Sequence, residues 1–365
     1  MTMKITKLNA VRVRIPQKPP IAPYHSRYRG QSSTKSILIR LETDHGLVGW
    51  GETPQVYLGN QLTGREAEAL RPILTGLDPT AIMAVYADLS FESTHIQSAV
   101  EMAMWDLAGK AYALPLYRLL GGPCRREIEL AACMGIQTYE RAGEIARLYV
   151  EMGFATLKTK AGRSPEEDLA MVRGIRDAVG DRLELRIDPN TGYSPEVCEQ
   201  LARDLEPYRL QYFEQPMPED LIDDSARIRR RTTTPMALNE SVTTLARVRE
   251  ILAKQAADFL LPDTYQCGGV WATKLVAEVA ASADVPCIVH CAHDLGPKTA
   301  AMLHLAASTP NFPLANDCTY YGLVDDVITE PFQIHRGKLP VPEAPGLGIE
   351  VDLGKVRRFQ VDASF

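Results

Sequence analysis

Two textures of hydrophobic patterning divide the chain. Up to residue 125, strand-like runs at Val11 to Ile15 and Ser36 to Leu41 lead into a turn punctuated by Gly46 and Gly49. A helical period follows from about His95 to Ala113, with Val100, Met104, Leu107 and Ala108 on one face. These elements predict a small α+β unit over residues 1–125. Between its first two strands lies PQKPPIAPYHSRYRGQSS, too polar and too broken for a regular element, and therefore a candidate lid.

Over residues 126–329 short apolar strands alternate with amphipathic helices, the pattern of βα units and a parallel sheet. The strands are expected to end near Met134, Lys160, Asp188, Glu214, Glu240, Asp263, His290 and Asp317, with helices such as Pro165 to Val179, Pro195 to Leu205, Thr244 to Lys254, Val270 to Ala281 and Thr299 to Ser308 between them. Eight such units are what a closed (β/α)-barrel requires. The fold class is thus α/β, a modified TIM barrel with an N-terminal α+β capping domain. Residues 330–365, rich in Pro and Gly, carry a strand-like piece at Phe332 to His335 and are expected to pack back on the capping domain.

Composition narrows the class of function. Of the 365 residues 45% are hydrophobic, enough for a large core, and the net charge of −6 is spread over mixed-sign charges that make up 24% of the chain. Nucleic acid is excluded as a partner on that balance. Seven cysteines without CxxC spacing fit a reducing compartment, and no apolar run approaches the ~18 residues of a membrane span. A cytoplasmic protein is expected.

The chemistry lies in the register of polar residues against the strands. Lys158 and Lys160, then Asp188, Glu214, Glu240, Asp263, His290 and Asp317 each close a strand, recurring from Asp188 onward every 23 to 27 residues. Barrel strand ends converge on one mouth, so residues distant in sequence meet there. A lone acid at such a position most often caps the next helix. Three in register, Asp188, Glu214 and Glu240, instead offer a hard oxygen site suited to Mg²⁺, since clustered carboxylates resist ionising without a cation. Lys158 and Lys160 share one strand face and are expected to depress each other's pKa, leaving Lys160 as a base and Lys158 to bind a substrate carboxylate. Asp263 beside His290 is expected to fix the imidazole tautomer and favour its protonated form, supplying a second acid/base. His293 is a further candidate, whereas His304 in an apolar helix reads as structural.

The chain resembles the enolase superfamily, specifically its mandelate racemase subgroup. The resemblance is carried by WGE at 50–52, AMWDLAGK at 103–110, LLGG at 119–122, KTK at 158–160, DPN at 188–190, EQP at 214–216, Glu240, Pro262-Asp263, the 268–269 glycine pair and His290. It implies a capping domain completed by the C-terminal segment, one Mg²⁺ per subunit, a small-molecule carboxylate substrate and a homo-oligomer, dimer or octamer. Members use a Lys or His base with Mg²⁺ stabilising an ene-diolate. Asp263, where the muconate-lactonising subgroup has a lysine, favours the racemase-like branch. Asp317, with Asn190 of DPN, matches acid-sugar dehydratase features and joins the substrate-binding set. Ala292 departs from the polar residue expected there.

The leading expectation is dehydration of a sugar acid to a 2-keto-3-deoxy acid. Racemisation or epimerisation at C2 is the second, and a catalytically silent metabolite-binding barrel the third. Substrate choice is expected to lie in the cap, at His25, Arg27, Tyr28 and Arg29, with Gln55 to Asn60 as a second flap.

Overall fold

The computed structural model describes residues 3–55, 69–88 and 93–361; of the expected second flap only Gln55 lies among them. The N-terminal part is a three-stranded antiparallel sheet of β1 (Ile5–Pro16), β4 (Ser33–Thr43) and β5 (Val48–Pro54), with the two-residue strands β2 (Tyr24–His25) and β3 (Gly30–Gln31) in the Pro-rich connection. Helices α1 (Ile82–Asp88) and α2 (Thr94–Tyr112) follow further along, and α2 lies across β5. That approach explains two glycines inside β5. A Cβ on Gly51 would stand 1.8 Å from the Ala99 carbonyl oxygen, and one on Gly49 2.3 Å from that of Ala103. Gly46, at φ 75°, makes the turn, so Gly49 is a packing glycine rather than the turn residue its sequence context suggested.

The second half is a curled parallel sheet. After a short α3 (Leu116–Leu119) its strands are β6 (Glu127–Met134), β7 (Thr156–Lys160), β8 (Glu184–Asp188), β9 (Tyr212–Glu214), β10 (Met236–Leu238), β11 (Phe259–Leu260) and β12 (Asn316–Asp317). They pair in the order β11-β10-β9-β8-β7-β6-β12. The seventh position, around Cys287 to His290, is reduced to a single bridge, Leu260 to Cys287. It still closes the ring: His290 N donates to Pro262 O at 3.1 Å, and Asp317 N to Val289 O at 3.3 Å. The structure is an α/β modified TIM barrel.

Helices form the outer layer: α4 (Tyr139–Glu151), α5 (Pro165–Val179), α6 (Pro195–Leu205), α7 (Ile222–Arg229), α8 (Leu245–Lys254), α9 (Thr264–Cys267), α10 (Val270–Ala281) and α11 (Gly296–Ser308). Their starts are written locally. Ser164 and Ser194 accept from the backbone N–H of Glu167 and Val197, each followed by a proline in the first turn, where its missing N–H costs nothing.

The last segment departs from expectation in one detail. Phe332 to His335 is not a strand; instead β13 (Lys338–Pro340) pairs antiparallel with β6 of the barrel. The remainder reaches the N-terminal part, where Gln360, beyond α12 (Leu353–Phe359), bridges Val13 and the Gly346 carbonyl accepts from Leu116 N at 2.8 Å.

Buried carboxylates join the two halves. Glu101 on α2 accepts from Val270 N at 2.8 Å and Trp271 N at 2.9 Å, the first N–H groups of α10, and from Trp105 Nε1 at 2.8 Å. Burial nevertheless pushes its pKa up to about 7 against those donors. Because the folded state then holds this proton more tightly than the unfolded chain, its contribution to stability is greatest near pH 4.5 and falls as the pH rises to about 7. The stability advantage of the wild type over Glu101→Gln is accordingly expected to shrink between pH 5 and pH 8 in urea titrations; an advantage that grows with pH contradicts this reading.

Candidate active site

Most strand ends deliver a polar residue into one mouth, while Asp188, Glu214 and Asp263 are fully buried and do not line it. Lys158, Lys160, Asn190, Glu240, His290 and Asp317 line a single cavity of about 840 Å³ that also reaches Tyr28 and Arg29 of the cap. The period-two alternation of β7 places Lys158 and Lys160 on its inner face, as expected.

Lys158 is the hub. Its Nζ lies 2.6 Å from Glu214 Oε1, 2.8 Å from Asp317 Oδ2 and 3.4 Å from Asp188 Oδ2, and the side chain is 3% exposed. Burial opposes its charge, but Asp317, Glu214 and Asp188 outweigh it and hold the ammonium well above its ordinary pKa. The mutual depression expected of the lysine pair is thus overturned for Lys158, because the pair is not isolated: three carboxylates face it. Lys160 makes a short ion pair with Asp188.

The three candidate metal acids are shifted in different directions by their surroundings. Burial works against ionised Asp188, yet Lys160 and Lys158 keep its pKa below the ordinary carboxylate range. Burial and the neighbouring Asp188 push Glu214 well up and Glu240 to about 7. Asn190, in the left-handed region at φ 46°, donates Nδ2 to Glu240 Oε1 at 3.0 Å. Glu214 Oε2 and Glu240 Oε2 are buried with no hydrogen-bond partner. A buried acceptor without a donor is costly, and a hard cation between these oxygens removes that cost. Among the described residues, the grouping whose ligand atoms all lie within 4.8 Å of one another is Glu214, His290 and Asp317, which shares Glu214 with the expected set but not Asp188 or Glu240. Asp317 is paired with Lys158 and with Arg186 Nη1 at 3.2 Å, as Asp188 is with Lys160 and Lys158.

Across the mouth, His290 Nδ1 donates to Asp263 Oδ2 at 3.0 Å, while Nε2 lies 3.9 Å from Glu214 Oε1. Asp263 favours protonated His290, as expected, but it is outweighed. Burial and Lys158 lower the imidazole pKa, and Asp263 only partly offsets them. Lys298 Nζ stands 2.9 Å from Asp263 Oδ1 and 2.8 Å from Asp294 Oδ1 and shares the Asp263 carboxylate with the imidazole.

In the cap loop, two of the four expected substrate contacts are engaged elsewhere. Arg27 Nη1 donates to Asn190 O at 3.0 Å and its guanidinium lies 4.7 Å from the Tyr28 ring centre; His25 accepts from Ile136 N through its carbonyl, at 2.7 Å. Neither lines the cavity, because both fasten the loop to the barrel rim. Tyr28 and Arg29 do line it. So does His293, held at φ 69°, with Nδ1 2.9 Å from Gln17 Nε2 and its ring edge-on to Tyr24. Burial and the cations Lys160, His290 and Lys158 push its pKa down to about 3, so the ring is neutral. His304 is structural, stacked on Tyr117 and bonded to Leu347 O.

Two family models match the chain: Mandelate racemase / muconate lactonizing enzyme, N-terminal domain, over residues 9–121, and Enolase C-terminal domain-like, over residues 140–355. The chain belongs to the mandelate racemase subgroup of the enolase superfamily. Among curated relatives of this family, N-succinyl-L-Arg/Lys racemase of Bacillus cereus is 27% identical, over 96% of each chain. D-xylonate dehydratase of Haloferax volcanii is 30% identical, over 89% of this chain and 85% of its own. Among solved structures, L-Ala-D/L-Glu epimerase of Bacillus subtilis superposes with a TM-score of 0.89 at 27% identity, covering 96% of this chain and all of the other.

Three neighbours of the site were not singled out from the sequence, although Glu52 lies within the WGE motif. Glu52 of WGE is fully buried and accepts from Leu295 N at 2.8 Å and Lys298 N at 2.9 Å, so the cap fixes the start of α11 and with it Lys298. Burial and then Asp294 push Glu52 up to about 8. Arg186 stacks 4.8 Å from the Tyr212 ring centre and holds Asp317 in place. Lys298 could have been suspected as a lone charge in the apolar run GPKTAAMLHLAA. Lys298→Met leaves Asp263 and Asp294 without their shared cation and is expected to destabilise the fold by about 3 kcal/mol, measured by urea denaturation; an unchanged midpoint contradicts that balance.

Proposed function

We propose that this enzyme removes the proton α to a carboxylate and, as its main reaction, dehydrates a sugar acid to a 2-keto-3-deoxy acid. The observation that supports it most is the delivery of two independent acid/base groups, Lys160 from β7 and the Asp263-bound His290 from the seventh position, into one cavity beside the carboxylates. Asp188, Glu214 and Glu240 would hold the Mg²⁺, consistent with an all-oxygen donor set and the two unpartnered oxygens. When bound, the ion supplies electrophilic stabilisation of negative charge on the substrate carboxylate.

The chain's own groups do the rest. Lys158, held cationic by its three carboxylates, lies where it can stabilise charge gathering on the substrate carboxylate as the α carbon is deprotonated. Lys160 takes the proton from one face of the α carbon. His290 Nε2 stands free of the Asp263 bond that Nδ1 makes, and can deliver or take a proton on the other face. In dehydration Nε2 first takes up a proton from solvent and then passes it to the departing C3 hydroxyl, which leaves as water; the lowered pKa of the imidazole favours giving that proton up. Thr94, Asn190, Thr191, Asn239 and Thr319 add hydroxyl and amide groups to the wall, which suits a polyhydroxy acid.

A second reading is racemisation or epimerisation at C2, favoured by the racemase and epimerase names among the relatives. The same two groups on opposite faces would perform it. Incubation of aldonic and aldaric acids with Mg²⁺ in D₂O separates the two. Formation of 2-keto acid supports dehydration; deuterated epimer without 2-keto acid rejects it in favour of the second reading. No Mg²⁺-dependent exchange with any acid that binds would leave a metabolite-binding barrel.

A further inference from the structure

His290 is attached to the barrel mouth at its backbone and at its ring. Strand pairing sets the backbone, His290 N donating to Pro262 O at 3.1 Å, while Nδ1 donates to Asp263 Oδ2 at 3.0 Å. Strand pairing does not fix where the Asp263 carboxylate turns. Its own turn reaches Oδ1 only through long bonds, from Tyr265 N at 3.3 Å and from Thr264 Oγ1 at 3.4 Å. Lys298 supplies the close contact, with Nζ 2.9 Å from Oδ1 and 3.1 Å from Oδ2. The same ammonium lies 2.8 Å from Asp294 Oδ1, which accepts from Ala292 N at 3.3 Å in the turn directly after His290. A closed circuit results. It runs from Lys298 through Asp263 to the imidazole, then along the 290–294 backbone and through Asp294 back to Lys298. An ammonium carries three protons and no acceptor, which matches these three oxygens.

Lys298 is itself held from both sides. Its side chain is buried, and its backbone N–H donates to Glu52 Oε2 of the cap at 2.9 Å. Burial opposes its charge, yet Asp263 and Asp294 hold its pKa above the ordinary lysine range. We propose that Lys298, which does not line the reaction cavity, is a positioning residue for His290: by clamping Asp263 and Asp294 together it fixes the imidazole with Nε2 presented to the substrate. The proposal rests on the reading of His290 as the second acid/base group. Neutralising two buried acids would, by itself, support every step of the reaction alike. The circuit instead predicts a loss confined to the proton transfers that His290 performs, because a catalytic group is effective only within a narrow range of positions.

The test follows deuterium uptake at C2 with Mg²⁺ in D₂O on epimeric pairs, gluconate with mannonate and galactonate with talonate. Wild type is compared with Lys298→Met, Lys298→Arg and Asp294→Ala, each checked for folding by circular dichroism. Asp294→Ala leaves Lys298 and Asp263 as a neutral pair, so it guards against a Lys298→Met chain that fails to fold. The epimer served by His290 is the one that still exchanges in Lys160→Ala. For it, kcat in Lys298→Met is expected to fall about a hundredfold with KM little changed, the size of loss that a misplaced catalytic group causes, while the other epimer exchanges as in wild type. Lys298→Arg should recover part of the loss, since a guanidinium can span both carboxylates, and Asp294→Ala should show a smaller loss on the same epimer. Equal loss for both epimers, or loss for neither, overturns the proposal. The ring gives a second readout that needs no turnover. In wild type the Nδ1–H proton of His290, assigned by its absence in His290→Asn, should give a resolved downfield NMR signal that broadens or vanishes in Lys298→Met and Asp294→Ala. A signal unchanged in both variants overturns the positioning role and leaves the enolisation reading intact. If no acid exchanges in wild type while the signal depends on Lys298, the clamp stands and the enolisation reading falls.

Discussion

In Lys160→Ala, exchange of the α hydrogen should fall by about a thousandfold for the substrate epimer whose proton faces β7, the loss associated with removing a positioned general base. The opposite epimer should still exchange, because His290 and its bond to Asp263 are left in place. Solvent deuterium uptake followed by NMR on each epimer reads both numbers from one sample. Wild-type exchange of both epimers, in a variant with an unchanged circular dichroism spectrum, would remove Lys160 from the mechanism. Equal loss for both would assign it to holding Asp188, its ion-pair partner, rather than to proton transfer.

The second large effect concerns Lys158. Its ammonium is surrounded by Glu214, Asp317 and Asp188, all buried. Lys158→Met leaves these carboxylates facing one another with Arg186 and Lys160 as their remaining cations. Removing one partner of a buried ion pair costs about 3–5 kcal/mol, since the other charge keeps its desolvation penalty. The variant should therefore melt well below the wild type in EDTA. Excess Mg²⁺ should recover part of that difference, because a dication can neutralise Asp188, Glu214 and Glu240. A melting temperature equal to wild type in EDTA would mean that the network is not a stability element. A loss identical in EDTA and in Mg²⁺ would speak against a cation site at these three acids.

The outer framework was legible because its signals are local. Pro165 to Val179 and Pro195 to Leu205 begin on a Ser-Pro pair whose serine caps the helix, and both boundaries agree with the structure. Strand ends at Lys160, Asp188 and Glu214 were legible for the same reason, an apolar run broken by one polar residue. Phe332 to His335 misled, since a strand needs a partner edge, and the exposed edge of β6 is met by Lys338–Pro340 instead. His25 and Arg27 misled differently. A loop of basic and aromatic residues near a barrel mouth reads as substrate-binding until the fold reveals that Arg27 faces the Asn190 carbonyl.

What the sequence by itself determined is the alternation of strands and helices and the delivery of one reactive residue per strand end, because periods of two and 3.6 are properties of neighbouring residues. Tertiary structure alone decided which charges share a partner. Lys298 divides Asp263 with His290, Glu52 of the cap pins the start of the helix carrying Lys298, and Arg14 meets Lys35 across the ladder. Three carboxylates around Lys158 reverse the pKa direction that the motif suggested for it, and burial with Lys158 outweighs Asp263 at His290. The physical reason is that burial and Coulomb terms depend on distances closed by the ring and the cap, which no spacing along the chain encodes.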